Sequence, residues 1–392
     1  MTTNAKSQGR FWRRIVIFTL PFAVPFLLLT GCMIYIGESM PLAWVVAHQQ
    51  AGEVLYRPRY GNRDLQFKTL SVNLRQPEVL ALGSSRILQF RAGFLTERPD
   101  AFYNAAAPAW TLNQLDALVA GIEPGNEPDI LILAVDSPWF NEAYLGDVFP
   151  PTTSDFAHIF QVNRSLAQDF IAGDRFTREG FDPMAYLTRT EPGSGGLALG
   201  MRAIRDGHGF RSDGSEQYGD FLIGGWLYQP TERERHLDWL RKGEEMYVYG
   251  DVPSEVRLVQ FEELVQTITE RGIDLILYAP PYTTQLWDEM VTDGQHDYVQ
   301  AALDRVAHIA ADYDVPFYDL SRAADIGAGD EEFFDGWHGS ELVTLRVWLR
   351  IVQGEPELLG PYADADKLRA IIAAADNTWD VFGMADEFRD RQ

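Results

Sequence analysis

VLALGSSRILQF, Val79 to Phe90, is the stretch from which the rest of the chain can be read. An apolar run stops at Gly83, two serines follow side by side, and a helix-like segment carrying Arg86 begins at once. A short apolar run bounded by turn residues reads as a strand buried on both faces of a parallel sheet. In such sheets the groups that meet a ligand stand at the carboxyl ends of the strands, where the two serines fall. They are either a displayed nucleophile or a polar turn that caps the next helix, which serine does well.

The same rhythm recurs. Glu78–Gly83, Ala101–Asn104, Asp129–Val135, Ile273–Ala279 and Val315–Leu320 are apolar runs between polar or turn residues. Leu112–Ile122, Val256–Ile268, Tyr298–Ala310 and Leu342–Val352 carry apolar stripes at helical spacing, and a short helix is expected around Leu42 to Gln50. Strands alternating with helices predict an α/β fold, a three-layer sandwich with a five-stranded parallel sheet at its centre. The interval 137–254 breaks the pattern and is too long for a loop. It reads as a helical cap inserted between the third and fourth strands, with Trp139, Phe140, Tyr144, Phe149, Phe160, Trp226, Tyr228 and Trp239 scattered through it. Its stretches EPGSGGLALG and RDGHGFRSDGSEQYGD read as its mobile parts.

The ends and the composition narrow the setting. Ile15 to Gly37 holds no charged residue and follows Arg10, Arg13 and Arg14. At 1.5 Å per residue such a run can cross a hydrocarbon core of roughly 30 Å. The basic residues before it keep the amino end in the cytoplasm. The expected organisation is therefore a cytoplasmic tail (1–14), a single transmembrane anchor (15–37), a neck (38–75) and an extracytoplasmic domain (76–392). Leu29-Thr30-Gly31-Cys32 is similar to a bacterial lipobox, so a lipoprotein anchored at Cys32, the only cysteine, is the alternative. A net charge of −24, from 57 acidic against 33 basic residues, argues against nucleic acid as a partner, because phosphates would be repelled.

Four segments are placed where chemistry would occur: Gly83-Ser84-Ser85-Arg86, Asn104-Ala105-Ala106-Ala107-Pro108, Asp136-Ser137-Pro138, and FFDGWHGSE with Asp335 three residues before His338. A serine nucleophile needs a base, and the base an orienting acceptor; His338 and Asp335 would supply both. GSSR resembles the first block of the SGNH (GDSL-like) hydrolase superfamily, and DGWH resembles its terminal D-x-x-H block, in the same chain order. The resemblance implies Ser85 as nucleophile and a flavodoxin-like sheet. YNAAAP is similar to the second block, with Ala106 where the family usually has its oxyanion-hole glycine, and LAVDSP to the third, with Asp136 where an asparagine is usual. Ser85 and Ala106 would then offer backbone N–H groups to an oxyanion, with Asp136 beside them, while Arg86 at the rim and Asn104 would meet substrate. Anchored envelope members of the superfamily act in alginate O-acetylation and teichoic acid D-alanylation, beside membrane-bound O-acyltransferases.

That resemblance implies a serine esterase or O-acyltransferase acting on acyl esters of an envelope or exported polysaccharide, possible partners being that glycan and a membrane-bound O-acyltransferase. The second reading is a binding or scaffold protein that kept the fold and lost efficient chemistry, for which Asp136 speaks. No G-x-S-x-G elbow, H-E-x-x-H, Walker A or dinucleotide motif is present, so no cofactor and no metal is expected.

Overall fold

Apolar runs become strands here because each is short and can be buried on both faces at once. The computed structural model describes residues 3–106, 110–144, 152–173, 182–192, 195–219 and 230–383. In chain order the strands are β1 (Val54–Tyr56), β2 (Val79–Leu82), β3 (Phe102–Asn104), β4 (Ile130–Ala134), β5 (Leu197–Leu199), β6 (Gly209–Phe210), β7 (Glu216–Gln217), β8 (Asp274–Ala279) and β9 (Phe317–Asp319). Five of them form an all-parallel sheet in the order β3-β2-β4-β8-β9, in keeping with a flavodoxin-like sandwich.

Alternate residues feed two cores. Val79, Ala81, Ile130, Ile132, Ile276 and Tyr278 face Val45, Val46 and the helix Glu341–Gly354 with its buried Leu345 and Trp348. Leu80, Leu82, Leu131, Leu133, Leu275 and Leu277 face helices Leu112–Ala120, Glu255–Glu270 and Asp297–Asp312. Each fully buried leucine or isoleucine stabilises the sandwich by about 1.5–3 kcal/mol. The carboxyl ends of β2, β4 and β8 thus point to one edge, where the candidate site lies.

Three expectations are corrected. The segment 38–75 is not a separate neck: helix Asp64–Arg75 buries Phe67 and Val72 in the two cores, and β1 joins a sheet. The cap is not purely helical. Its β5, β6 and β7 combine with β1 in a second sheet, order β5-β1-β6-β7, and the glycine-rich stretches read as mobile supply these strands. Those stretches carry few large apolar residues, so periodicity could not mark them; their pairing is decided by β1, far away in sequence.

Helix Thr3–Tyr35 contains the apolar run, with Pro21 and Pro25 inside it. It bends by 46° between Trp12–Pro21 and Ala23–Tyr35, as a helix does where proline removes a backbone donor and its ring meets the preceding turn. Among the described residues no single helix is long and apolar enough to cross a membrane; the two arms together pass that test by length and composition. The last turns dock on the body. Met33 and Ile36 are buried, Asn163 Nδ2 donates to Thr30 Oγ1 at 3.0 Å, and the Tyr35 hydroxyl donates to the Leu187 carbonyl at 2.7 Å. Just beyond, buried Glu38 accepts from the N–H groups of Arg59, Tyr60 and Met201.

Candidate active site

The two serines after β2 divide the work. Ser84 is buried and its Oγ accepts the Arg86 N–H at 3.3 Å, capping the short 3-10 turn Ser85–Ile87. Ser85, at the first position of that turn, is only half-buried, and its Oγ lies 2.8 Å from His338 Nε2. The cap reading and the display reading therefore apply to neighbouring residues.

His338 and Asp335 come from one tight loop. Phe333 and Gly339 pair across its base, and Gly336 takes φ +95, a conformation that favours glycine. Asp335 Oδ1 accepts the N–H groups of Trp337 at 2.9 Å and His338 at 2.8 Å, while Oδ2 sits 2.7 Å from His338 Nδ1. A carboxylate can only accept there, so Nδ1 carries the proton and Nε2 is free to accept from Ser85. Burial alone would raise the Asp335 carboxyl, but the charge and hydrogen bonds of His338 outweigh it and hold it well below the usual carboxylate range. Burial likewise opposes charge on His338, yet adjacent Asp335 raises its pKa above the ordinary 6.5.

A second histidine touches the same carboxylate. His236, on the cap helix Pro230–Lys242, places Nε2 3.4 Å from Asp335 Oδ2 and Nδ1 2.8 Å from the Tyr247 hydroxyl. Burial pushes its pKa down to about 4, so at neutral pH it is uncharged, accepting from Tyr247 and donating toward Asp335. Nothing in the sequence marked His236, which stands in the cap far from the D-x-x-H block; only the fold joins them.

The remaining expected site residues are placed differently. Arg86 does not stand at a rim: it is buried, its Nη1 3.0 Å from Asp136 Oδ1 and its Nη2 2.7 Å from the Pro280 carbonyl. Its guanidinium lies over the rings of Tyr282 and Trp337. Asn104 is buried as well, and donates to the carbonyls of Ile87 and Phe90, bracing the turn that carries Ser85. Arg86 Nη1 and Nη2 and the Asn104 amide are committed to internal partners rather than turned to a substrate. Asn104 Oδ1 also accepts the Ala106 N–H at 2.9 Å, so that N–H is turned away from an oxyanion. Asp136 lines the site, with one oxygen held by Arg86. Ala107 and Pro108 of the second block, and Phe149, Trp226 and Tyr228 of the cap, lie outside the described residues.

Ser85 and His338 open onto a cavity of about 160 Å³ walled by Trp110, Pro138, Trp139, Tyr144, Met246 and Trp337. Trp110 is more than half exposed at its mouth. Of the cap aromatics, Trp139 and Tyr144 thus border the site, while Phe140 is wholly buried in a core. An apolar, aromatic recess beside a hydrogen-bonded serine suits an uncharged acyl group. Comparison with known proteins returns no matching family model and no matching curated sequence.

Proposed function

We propose that this chain is a membrane-anchored, extracytoplasmic serine esterase or O-acyltransferase of SGNH type. The observation that carries the reading is the unbroken hydrogen-bond chain from Ser85 Oγ through His338 to Asp335 at the mouth of an aromatic recess. Ser85 Oγ attacks the acyl carbonyl and its proton passes to His338 Nε2. As the ester C–O bond breaks, His338 returns the proton to the leaving alcohol oxygen. Water, or an acceptor hydroxyl, then attacks the acyl-serine with His338 again taking its proton, and the acyl carbon–Oγ bond breaks as His338 returns that proton to Ser85 Oγ. Asp335 holds the imidazole tautomer throughout.

The Ser85 N–H is the first donor to the oxyanion. The Ala106 N–H becomes a second only if it leaves Asn104. This favours the second reading, a catalytically weak SGNH-like protein that binds a glycan or partners a membrane-bound O-acyltransferase. Exposed Trp110 beside the recess supports a sugar as the alcohol side of the ester, since a ring face stacks on an indole, and hence an envelope or exported polysaccharide as substrate. Arg13 and Arg14 ahead of the apolar helix support an amino end in the cytoplasm and the remainder outside. Apolar residues continue past Cys32 through Met33, Ile34, Tyr35 and Ile36, which supports an uncleaved anchor over a lipid on Cys32.

The test is fluorophosphonate labelling of the full chain, followed by hydrolysis of an activated acetyl ester. Ser85→Ala and His338→Ala should abolish both, and Ser84→Ala should leave labelling at Ser85. Unlabelled wild-type protein would favour the binding reading, and labelling that survives Ser85→Ala would refute the assignment.

A further inference from the structure

Beside the N-terminal helix the cap carries an apolar surface for which the esterase reading has no use. Helix Asp155–Ala172 carries buried, polar exposed and apolar exposed residues. His158, Val162 and Asn163 are buried against the body. Gln161, Arg164 and Gln168 are exposed along another strip. Phe156, Phe160, Phe170 and Ile171, exposed by 72%, 49%, 62% and 82%, lie on the face that also carries Asn163. Helix Pro183–Thr188, also in the cap, adds Met184 and Leu187, each more than half exposed. With Leu27, Leu28 and Cys32 of the N-terminal helix, Phe170 and Leu187 enclose an apolar groove of about 890 Å³.

Depth decides what covers this surface. Phe160 stacks on Phe26 with ring centroids 5.8 Å apart, and Asn163 bonds Thr30, so the cap helix runs beside the second arm of the bent helix. Phe26 stands at the middle of the apolar run Ile15–Gly37. If that run crosses a hydrocarbon core of roughly 30 Å, a ring stacked on its middle cannot be in water.

We infer that the cap is embedded in the outer leaflet of the bilayer that holds the anchor. The Phe156, Phe160, Phe170 and Ile171 strip, with Met184 and Leu187, meets acyl chains, and a lipid chain lies in the groove beside Cys32. The inference rests on the anchor in the proposed function and is independent of the serine chemistry.

The full chain, with Cys32→Ser to remove its only cysteine, is reconstituted in phosphatidylcholine vesicles and spin-labelled at one introduced site at a time: Ile171→Cys, Leu187→Cys, Phe18→Cys in the anchor, and Val256→Cys on an exposed face of helix Glu255–Glu270. Relaxation by oxygen, which concentrates in acyl chains, is compared with relaxation by a water-soluble nickel chelate. Labels at Ile171 and Leu187 should match Phe18, oxygen-rich and nickel-poor, while Val256 is nickel-accessible. If Ile171 and Leu187 match Val256 while Phe18 stays oxygen-rich, the embedded cap is refuted and the anchor stands. If Phe18 too is nickel-accessible, the anchor fails and takes the inference with it. Exclusion of both reagents together with dipolar broadening between labels would show a second copy on the surface, which also overturns it.

Discussion

Replacing Arg86 tests whether the site is held together from beneath. The guanidinium is bonded to Asp136 and to the Pro280 carbonyl, with side-chain exposures of 1% for Arg86 and 3% for Asp136, and lies 4.0 Å from the Tyr282 ring centroid and 4.5 Å from that of Trp337. Arg86→Met fills the slot between the rings but leaves the Asp136 carboxylate buried without its counter-ion. Breaking a buried pair from one side costs about 3–5 kcal/mol. Asp136→Asn keeps an oxygen for Nη1 but leaves the buried guanidinium without its counter-ion, with only the Pro280 carbonyl and the two ring faces beside it, so it too should cost up to about 3–5 kcal/mol. The double variant should then fall short of the sum of the singles, because the carboxylate left stranded by Arg86→Met is gone. Urea unfolding of the full chain in mild detergent, followed by tryptophan fluorescence, reads these values from midpoint and slope. Because Trp337 adjoins His338, Arg86→Met should also slow fluorophosphonate labelling under conditions where the protein is still folded. A loss below about 1 kcal/mol, with an additive double variant, would refute the clamp.

Hydrolysis should rise with pH along a limb centred above 6.5, because the base works only when neutral and Asp335 raises the His338 pKa. Asp335→Asn removes that neighbouring charge and the correct tautomer, so the limb should move to lower pH and the rate fall roughly 10⁴-fold, as in the serine protease triad. A pH–rate profile of kcat/KM checks both, and an unmoved limb would dissociate Asp335 from the base. His236→Asn removes the bond to Tyr247 and the donor facing Asp335 Oδ2. With less of its charge satisfied, Asp335 should raise His338 further, so kcat should fall at neutral pH, KM should hold, and the limb should move up; a loss of stability with an unmoved limb would leave His236 a packing residue only.

All five strands of the parallel sheet were legible, because each combines a short apolar run such as Val79–Leu82 with turn residues at its end; β2, β3 and β4 are buried throughout, while the edge strand β9 is only half-buried. Ser85, His338 and Asp335 were legible by their chain order and their place at strand ends, and the structure brings them within hydrogen-bonding distance. The fates of Arg86, Asn104 and Ala106 were not. Arg86 and Asn104 depend on which partners at the sheet edge capture them, Asp136 and the carbonyls of Pro280, Ile87 and Phe90, which could be identified only once the turns were folded; the Ala106 N–H is taken by Asn104 Oδ1, two residues back in its own turn. β1 escaped notice because three residues carry no period, and its neighbours β5 and β6 stand more than a hundred residues away.

That small sheet also limits how the molecule can work. β1 precedes the parallel sheet in the chain, yet it lies between two strands of the insertion, parallel to β5 and antiparallel to β6. Gln49 Nε2 reinforces the seam by donating to the carbonyls of Val54 and Phe210, and Ser212 Oγ by accepting the Val54 N–H. An insertion attached only at its two ends can swing on them like a flap; one that is also hydrogen-bonded to chain from upstream of the whole domain is riveted at a third point. Turnover should therefore have no slow opening phase, and burst kinetics should show a single acylation step. Nor can the insertion be excised as a module, since its removal would strip both neighbours from β1 and leave an unpaired edge open to aggregation.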